Sequence, residues 1–197
     1  MQAVFFDAFG TLCEIRDRRN PYRPILKSWP GGVAAAYQTL MTRDCPPTDL
    51  AREAGCSDQI IEEINDGVAA EINSMRLFPE VCSVLERLRQ QGVKWAIISN
   101  LATPYAEPLL KLLPFPPDAC SWSFAVSYRK PEADIYHHAC KELAVEPSSV
   151  LMVGDSMEND YTTPKRLGMM ARYLNRAGAN ENMPECIADL TGIFTTS

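Results

Sequence analysis

Val4-Phe5-Phe6-Asp7-Ala8-Phe9-Gly10-Thr11-Leu12 is the stretch that decides how this chain is read. Residues 4–6 form a short apolar run of the kind that makes a buried strand. The run ends in a single acid, Asp7, and Gly10 permits a tight turn directly after it. In an open α/β sheet, ligands bind at the carboxyl ends of the strands. Asp7 therefore stands where chemistry is expected. Phe9 stands two positions on, where a second acid could serve.

Outward from this strand the chain alternates. Residues 80–91 are amphipathic, with Val81, Val84, Leu85 and Leu88 on one face and Gly92 as the cap. Residues 93–98 read as a strand ending in Ser99-Asn100, and 105–113 as a helix stopped by Pro114. A short strand is expected at 124–126, before Lys130-Pro131. A helix follows at 133–143, then a strand at 150–153 ending in Gly154-Asp155-Ser156. A helix over 161–167 and a strand over 170–174 complete the pattern, and the tail from Ala177 is loop-rich. Strands alternating with helices imply a parallel sheet with right-handed crossovers.

Residues 13–77 interrupt this alternation. They begin with a polar, proline-punctuated stretch over 14–27, followed by helical patterns at 33–42 and about 50–54. Ser57-Asp58 then opens a longer helix, with Ile60, Ile61, Ile64, Val68 and Ile72 at helical spacing. The expected fold is α/β: a Rossmann-like three-layer core with a parallel sheet (1–12 and 78–197) and a small helical cap (13–77) inserted after the first strand.

Composition narrows the function. The chain has 197 residues, 46% of them hydrophobic, with a net charge of −6. That acidic balance argues against nucleic acid or an anionic membrane as partner. No apolar run approaches the ~18 residues that span a bilayer, and the N-terminus reads as a strand, not a secretory signal. The seven cysteines are scattered, without a CxxC pair. Reduced thiols in a cytoplasmic protein are expected, rather than disulfides or a zinc site. His137 and His138 are adjacent, so on a helix they point about 100° apart and do not form a joint metal site.

The strands after the insertion deliver polar residues at or beyond their carboxyl ends: Ser99 and Asn100, Lys130, and Asp155 with Asp160. Together with Asp7 they converge on one sheet edge. Asp7 can act as a carboxylate nucleophile. Two nearby carboxylates repel unless positive charge intervenes, and Mg²⁺ is suited to one or two carboxylates plus substrate phosphate oxygens. Lys130 offers a compact charge for a phosphoryl group or for the nucleophile. Ser99, Asn100 and Thr11 are candidate substrate-binding residues, and Asp160 a support for Lys130.

Asp7-Ala8-Phe9-Gly10-Thr11-Leu12, Ile98-Ser99-Asn100, Lys130-Pro131 and Gly154-Asp155-Ser156-Met157-Glu158-Asn159-Asp160 together resemble the motifs of the haloacid dehalogenase superfamily of hydrolases, in that family's order. The resemblance implies a helical cap on a Rossmann-like core. It also implies magnesium held by Asp7, the backbone carbonyl of Phe9 and Asp155.

Phosphatases of that family usually carry an Asp at the position of Phe9 as general acid and base. Such catalysis is worth ~10²–10⁴-fold in rate, and Phe9 cannot supply it. The dehalogenase branch often has an aromatic residue there and works without metal, and Asn175-Arg176-Ala177-Gly178 resembles that branch weakly. Asp155 then argues for metal, because an unneutralised acid beside the nucleophile would repel an anionic substrate. The expectation is a Mg²⁺-dependent phosphatase acting on a small phosphorylated metabolite. The alternatives are a metal-independent 2-haloacid dehalogenase, a phosphonatase using Lys27, or a binding protein on the same fold. The basic stretch from Arg16 to Lys27 is either a solvated loop or a surface that meets an anionic substrate.

Overall fold

The computed structural model describes residues 1–178, 183 and 185–195. Strand β1 (Ala3–Phe6) leads through the Gly10 turn to β2 (Cys13–Ile15). Four helices follow: α1 (Arg23–Ser28), α2 (Gly32–Thr42), α3 (Pro47–Glu53) and α4 (Asp58–Ser74). Strand β3 (Met75–Leu77) pairs antiparallel with β2, joining Cys13 to Leu77 and Ile15 to Met75. The chain therefore leaves and re-enters the sheet layer through one two-stranded ribbon.

Beyond it come α5 (Val81–Gln90), β4 (Lys94–Ser99), α6 (Ala106–Leu112), β5 (Ala119–Trp122), α7 (Ser123–Val126) and α8 (Ala133–Leu143). The last elements are β6 (Val150–Gly154), a π-helical turn (Met157–Thr162), α9 (Thr163–Arg166), β7 (Met170–Leu174) and β8 (Cys186–Ile187). Six strands form one parallel sheet in the order β5-β4-β1-β6-β7-β8. The carboxyl ends of β1, β4 and β6 thus lie side by side at its centre.

The strands are buried on both faces, as expected for a parallel sheet covered by helices. Ala3, Phe5, Ala96, Ile98, Val150 and Met152 pack with Ile135, Tyr136, Ala139 and Leu143 of α8. The intervening residues Val4, Phe6, Trp95, Ile97, Leu151 and Val153 belong to the opposite layer, with Val81, Val84, Leu85 and Leu88 of α5. That second cluster runs on into Ile25, Leu40, Leu50, Ile61, Ile64 and Val68 of the inserted helices. Each such side chain contributes about 1.5–3 kcal/mol by leaving water, so the insertion is seated on the same apolar mass as the sheet. No helix among the described residues is long and apolar enough to cross a membrane.

Four local expectations are corrected. The strand expected at 124–126 is Ala119–Trp122, which pairs with β4, while Ser123–Val126 is a helical turn whose Ser123 Oγ accepts from the Leu101 N–H at 3.0 Å. The polar stretch at 14–27 contains α1, because Pro24 suits a first turn and Ile25 is fully buried. The ribbon of β2 and β3 is too short to show an alternating pattern. The helix expected over 161–167 is instead the π-helical turn followed by four-residue α9, with Pro164 at its start. Part of the loop-rich tail expected from Ala177 lies outside the described residues.

Candidate active site

Asp7 follows β1 directly, and its N–H donates to the Val153 carbonyl of β6 at 3.0 Å. The turn after it is closed by Leu12 and Cys13 N–H groups donating to the Ala8 carbonyl, and by Gly10 N–H donating to the Cys13 carbonyl at 2.8 Å. These bonds leave the Phe9 carbonyl to other partners. Gly10 has φ +82°, a left-handed conformation open to glycine. A Cβ at Gly10 would sit 2.1 Å from Asp155 Oδ2. The missing side chain is therefore what admits the Asp155 carboxylate.

Lys130 is the hub of the site. Its ammonium lies 2.7 Å from Asp7 Oδ1 and 2.6 Å from Asp160 Oδ1, and only 3% of its side chain is exposed. Asp160 Oδ2 accepts from the Ser156 N–H at 3.0 Å. Burial opposes the charge on Lys130, but the carboxylates of Asp160 and Asp7 outweigh it and hold the ammonium above its ordinary range. Burial likewise pushes the Asp160 carboxyl up, against the pull of Lys130.

Asn100 is engaged with the lysine backbone. Its Nδ2 donates to the Lys130 carbonyl at 2.9 Å and its Oδ1 accepts from the Lys130 N–H at 2.7 Å. One Nδ2 hydrogen remains for another partner. Ser99 closes β4 and is buried beside it. Thr11 is fully buried beneath the turn with its Oγ1 unpartnered, so it does not present its hydroxyl to solvent.

Carboxylate oxygens of Asp7, Asp155 and Asp160 all lie within 4.8 Å of one another. Three acids face one ammonium, a surplus of negative charge that a divalent cation would neutralise. Asp155 registers the surplus: partial burial first, then the Asp7 charge, push its carboxyl above the ordinary range. The exposed Arg18 guanidinium counteracts this weakly. Two other cations of the basic stretch are paired at the surface, Arg16 with Glu14 and Arg19 with Asp17. The donor set, all oxygen and centred on Asp7 and Asp155, fits Mg²⁺.

The model of the haloacid dehalogenase-like hydrolases matches residues 1–168. The chain belongs to that family. It is 32% identical over 130 residues to a phosphoglycolate phosphatase of Mannheimia succiniciproducens, covering 59% of this chain and 51% of that protein. The chain thus spans about half the length of that relative. It is also 25% identical over 207 residues to (S)-2-haloacid dehalogenase 4A of Burkholderia cepacia, covering 94% of this chain and 86% of that one. Among solved structures, a HAD phosphatase from Thermococcus onnurineus superposes with a TM-score of 0.67 at 25% identity, covering 98% of this chain and 96% of that one. Phosphatases and dehalogenases both stand among the relatives of this haloacid dehalogenase-like hydrolase, as the conflicting signals of Phe9 and Asp155 anticipate.

Three contributors were given no role in the site by sequence. Arg176 donates to the carbonyls of Gly10 (2.9 Å) and Thr11 (2.6 Å) and pairs with Glu80 at 2.8 Å, while its guanidinium stacks on Phe78. It fixes the turn that carries the nucleophile candidate. Its only sequence signal was the run 175–178. Gly154 lets Asp160 close in: a Cβ there would fall 2.3 Å from the Asp160 carboxylate. Glu71 lies on the buried face of α4, where Ile61, Ile64 and Val68 recur at helical spacing. A charged residue continuing an apolar stripe was the available clue. Phe9 packs its ring against an aromatic neighbour. Its ring meets Tyr105 edge to face at 5.8 Å, and Tyr105 meets Tyr22 of the insertion at 6.2 Å.

Proposed function

We propose that this hydrolase is a Mg²⁺-dependent phosphatase of small phosphorylated metabolites, working through an aspartyl-phosphate on Asp7. The observation that carries the reading is the cluster of Asp7, Asp155 and Asp160 around a single Lys130. Such a charge surplus suits a metal and a phosphoryl group, not an anionic substrate without metal. Asp7, the Phe9 carbonyl and Asp155 would hold Mg²⁺, which supplies positive charge to the phosphoryl oxygens.

Lys130 binds Oδ1 of Asp7 and leaves Oδ2 to attack phosphorus. As the Oδ2–P bond forms, the P–O bond to the leaving group breaks. The departing alkoxide takes its proton from water, because Phe9 has none to give. Water then attacks the phosphorus, the Oδ2–P bond breaks, and inorganic phosphate leaves Asp7 as a carboxylate. Ser99 and the remaining Asn100 hydrogen bind phosphoryl oxygens, and Asp160 keeps Lys130 in place. The free thiols of all seven cysteines suit a cytoplasmic setting.

A panel of phosphate esters and 2-haloacids, with Mg²⁺ or with chelator, tests the reading. Ester hydrolysis should require Mg²⁺, vanish in Asp7→Asn, and favour aryl over alkyl leaving groups, which depart without an acid. Phe9→Asp should speed alkyl esters more than aryl ones. Halide release in chelator with no ester turnover would establish the dehalogenase alternative instead.

A further inference from the structure

A cavity of about 180 Å³ lies on the insertion side of the candidate site, lined by Phe9 and Asn100 from the sheet edge, Tyr105, and Tyr22, Met41 and Glu71 from the insertion. Phe9 follows the nucleophile candidate by two residues and Asn100 is bonded to the backbone of Lys130, so the cavity adjoins the site from which a group would depart.

The chemistry of its wall is one-sided. Among the described residues, no Lys, Arg or His lines it. Glu71 is buried without a cationic partner. Its Oε1 accepts from the N–H groups of Arg19 (2.8 Å) and Asn20 (2.9 Å), and its Oε2 accepts from the Tyr105 hydroxyl. A carboxylate offers about four acceptor positions, so one remains. The Tyr22 hydroxyl is buried at the same wall, beside the Tyr105 hydroxyl that Glu71 engages. Arg18 acts on the Asp155 side, outside this space.

We propose that this cavity selects leaving groups that are neutral or cationic, carry an O–H or N–H donor on a small apolar body, and bear no carboxylate. This rests on the phosphatase reading and sharpens it. Glu71 accepts from the leaving group's donor, Tyr22 supplies a second polar contact, and Phe9 and Met41 pack against its carbon atoms. A carboxylate in the same space meets Glu71 with no cationic side chain in the wall to relieve it. Glycolate is therefore a poor leaving group here, whatever suits the phosphoglycolate phosphatases. The carboxylate of a 2-haloacid is disfavoured by the same charge.

Phosphoglycolate and ethylene glycol monophosphate form a matched pair, differing in a carboxylate against a hydroxymethyl group. With Mg²⁺, kcat/KM should favour the neutral ester by on the order of 100-fold, the scale of a close like-charge contact. Glu71→Gln should narrow that gap at least about tenfold, chiefly by improving phosphoglycolate. Met41→Lys, which adds a cation to the lining of the same cavity and replaces none of the Glu71 partners, should narrow it too. Equal or better turnover of phosphoglycolate by the unmodified protein would overturn this inference and leave the phosphatase reading standing. So would a gap unmoved in both variants. Loss of turnover with every ester, p-nitrophenyl phosphate included, would remove the phosphatase reading and this inference with it.

Discussion

Replacing Lys130 by Met removes a buried charge while keeping a side chain of similar length. The lysine bridges Asp7 and Asp160 at 2.7 and 2.6 Å, and the Asp160 side chain is 0% exposed. Solvent therefore cannot take over from the ammonium. The Ser156 N–H remains, but one neutral donor does not balance a buried carboxylate. Breaking a buried pair from one side costs about 3–5 kcal/mol. At roughly 2–4 °C per kcal/mol for a domain of this size, Tm should fall by about 6–20 °C.

The double variant Lys130→Met/Asp160→Asn should recover much of that loss, because the stranded charge has gone. The sign of the pH dependence follows from Asp160. Burial already raises its carboxyl, and loss of Lys130 raises it further. A raised folded-state pKa means stability that is present below the unfolded value, ~3.9, and lost as pH rises through the folded value. The deficit of the single variant relative to the double should therefore widen as pH rises above ~4. Denaturant unfolding of both variants and the parent at several pH values, in chelator, measures this. A single variant as stable as the double at neutral pH would refute the account of Lys130 as the balancing charge.

Gly154→Ala should cut kcat/KM on the order of 100-fold in a folded protein, because its Cβ displaces the Asp160 carboxylate that orients Lys130. Circular dichroism alongside kinetics separates displacement from unfolding. Asp155→Asn should raise the Tm of the metal-free protein, since the carboxyl it replaces is one that burial and Asp7 make costly to ionise. The same variant should lose the Mg²⁺-induced rise in Tm, which in the parent follows the ratio of free metal to Kd. Arg176→Gln should destabilise by about 2–4 kcal/mol, as charge-assisted bonds to Gly10, Thr11 and Glu80 are weakened, and should lower kcat by loosening the Asp7 turn. Unaltered kcat in that variant would separate Arg176 from the site.

The sequence by itself determined the strand-end chemistry and the class of fold. Apolar runs ending in Asp7, Ser99 or Gly154-Asp155 are local signals, and strand polarity alone carries such ends to one edge of a parallel sheet. Ser57 was likewise legible as the cap of α4, because capping depends on neighbours three residues away. The tertiary structure decided what those residues touch. Lys130 meets Asp7 across 123 positions of chain, and Arg176 reaches back 166 positions to Gly10. No periodicity encodes such pairings. Glu71 shows the division most clearly. Its place on an apolar stripe was visible in the sequence, whereas its bonds to Arg19 and Asn20 exist only once the insertion folds on itself, and its bond to Tyr105 only once the insertion packs on the core. Phe9 follows the same logic. Its side chain announced the absence of an acid, and packing alone decided that its ring would lean on Tyr105 while its carbonyl stays clear of the turn's own hydrogen bonds.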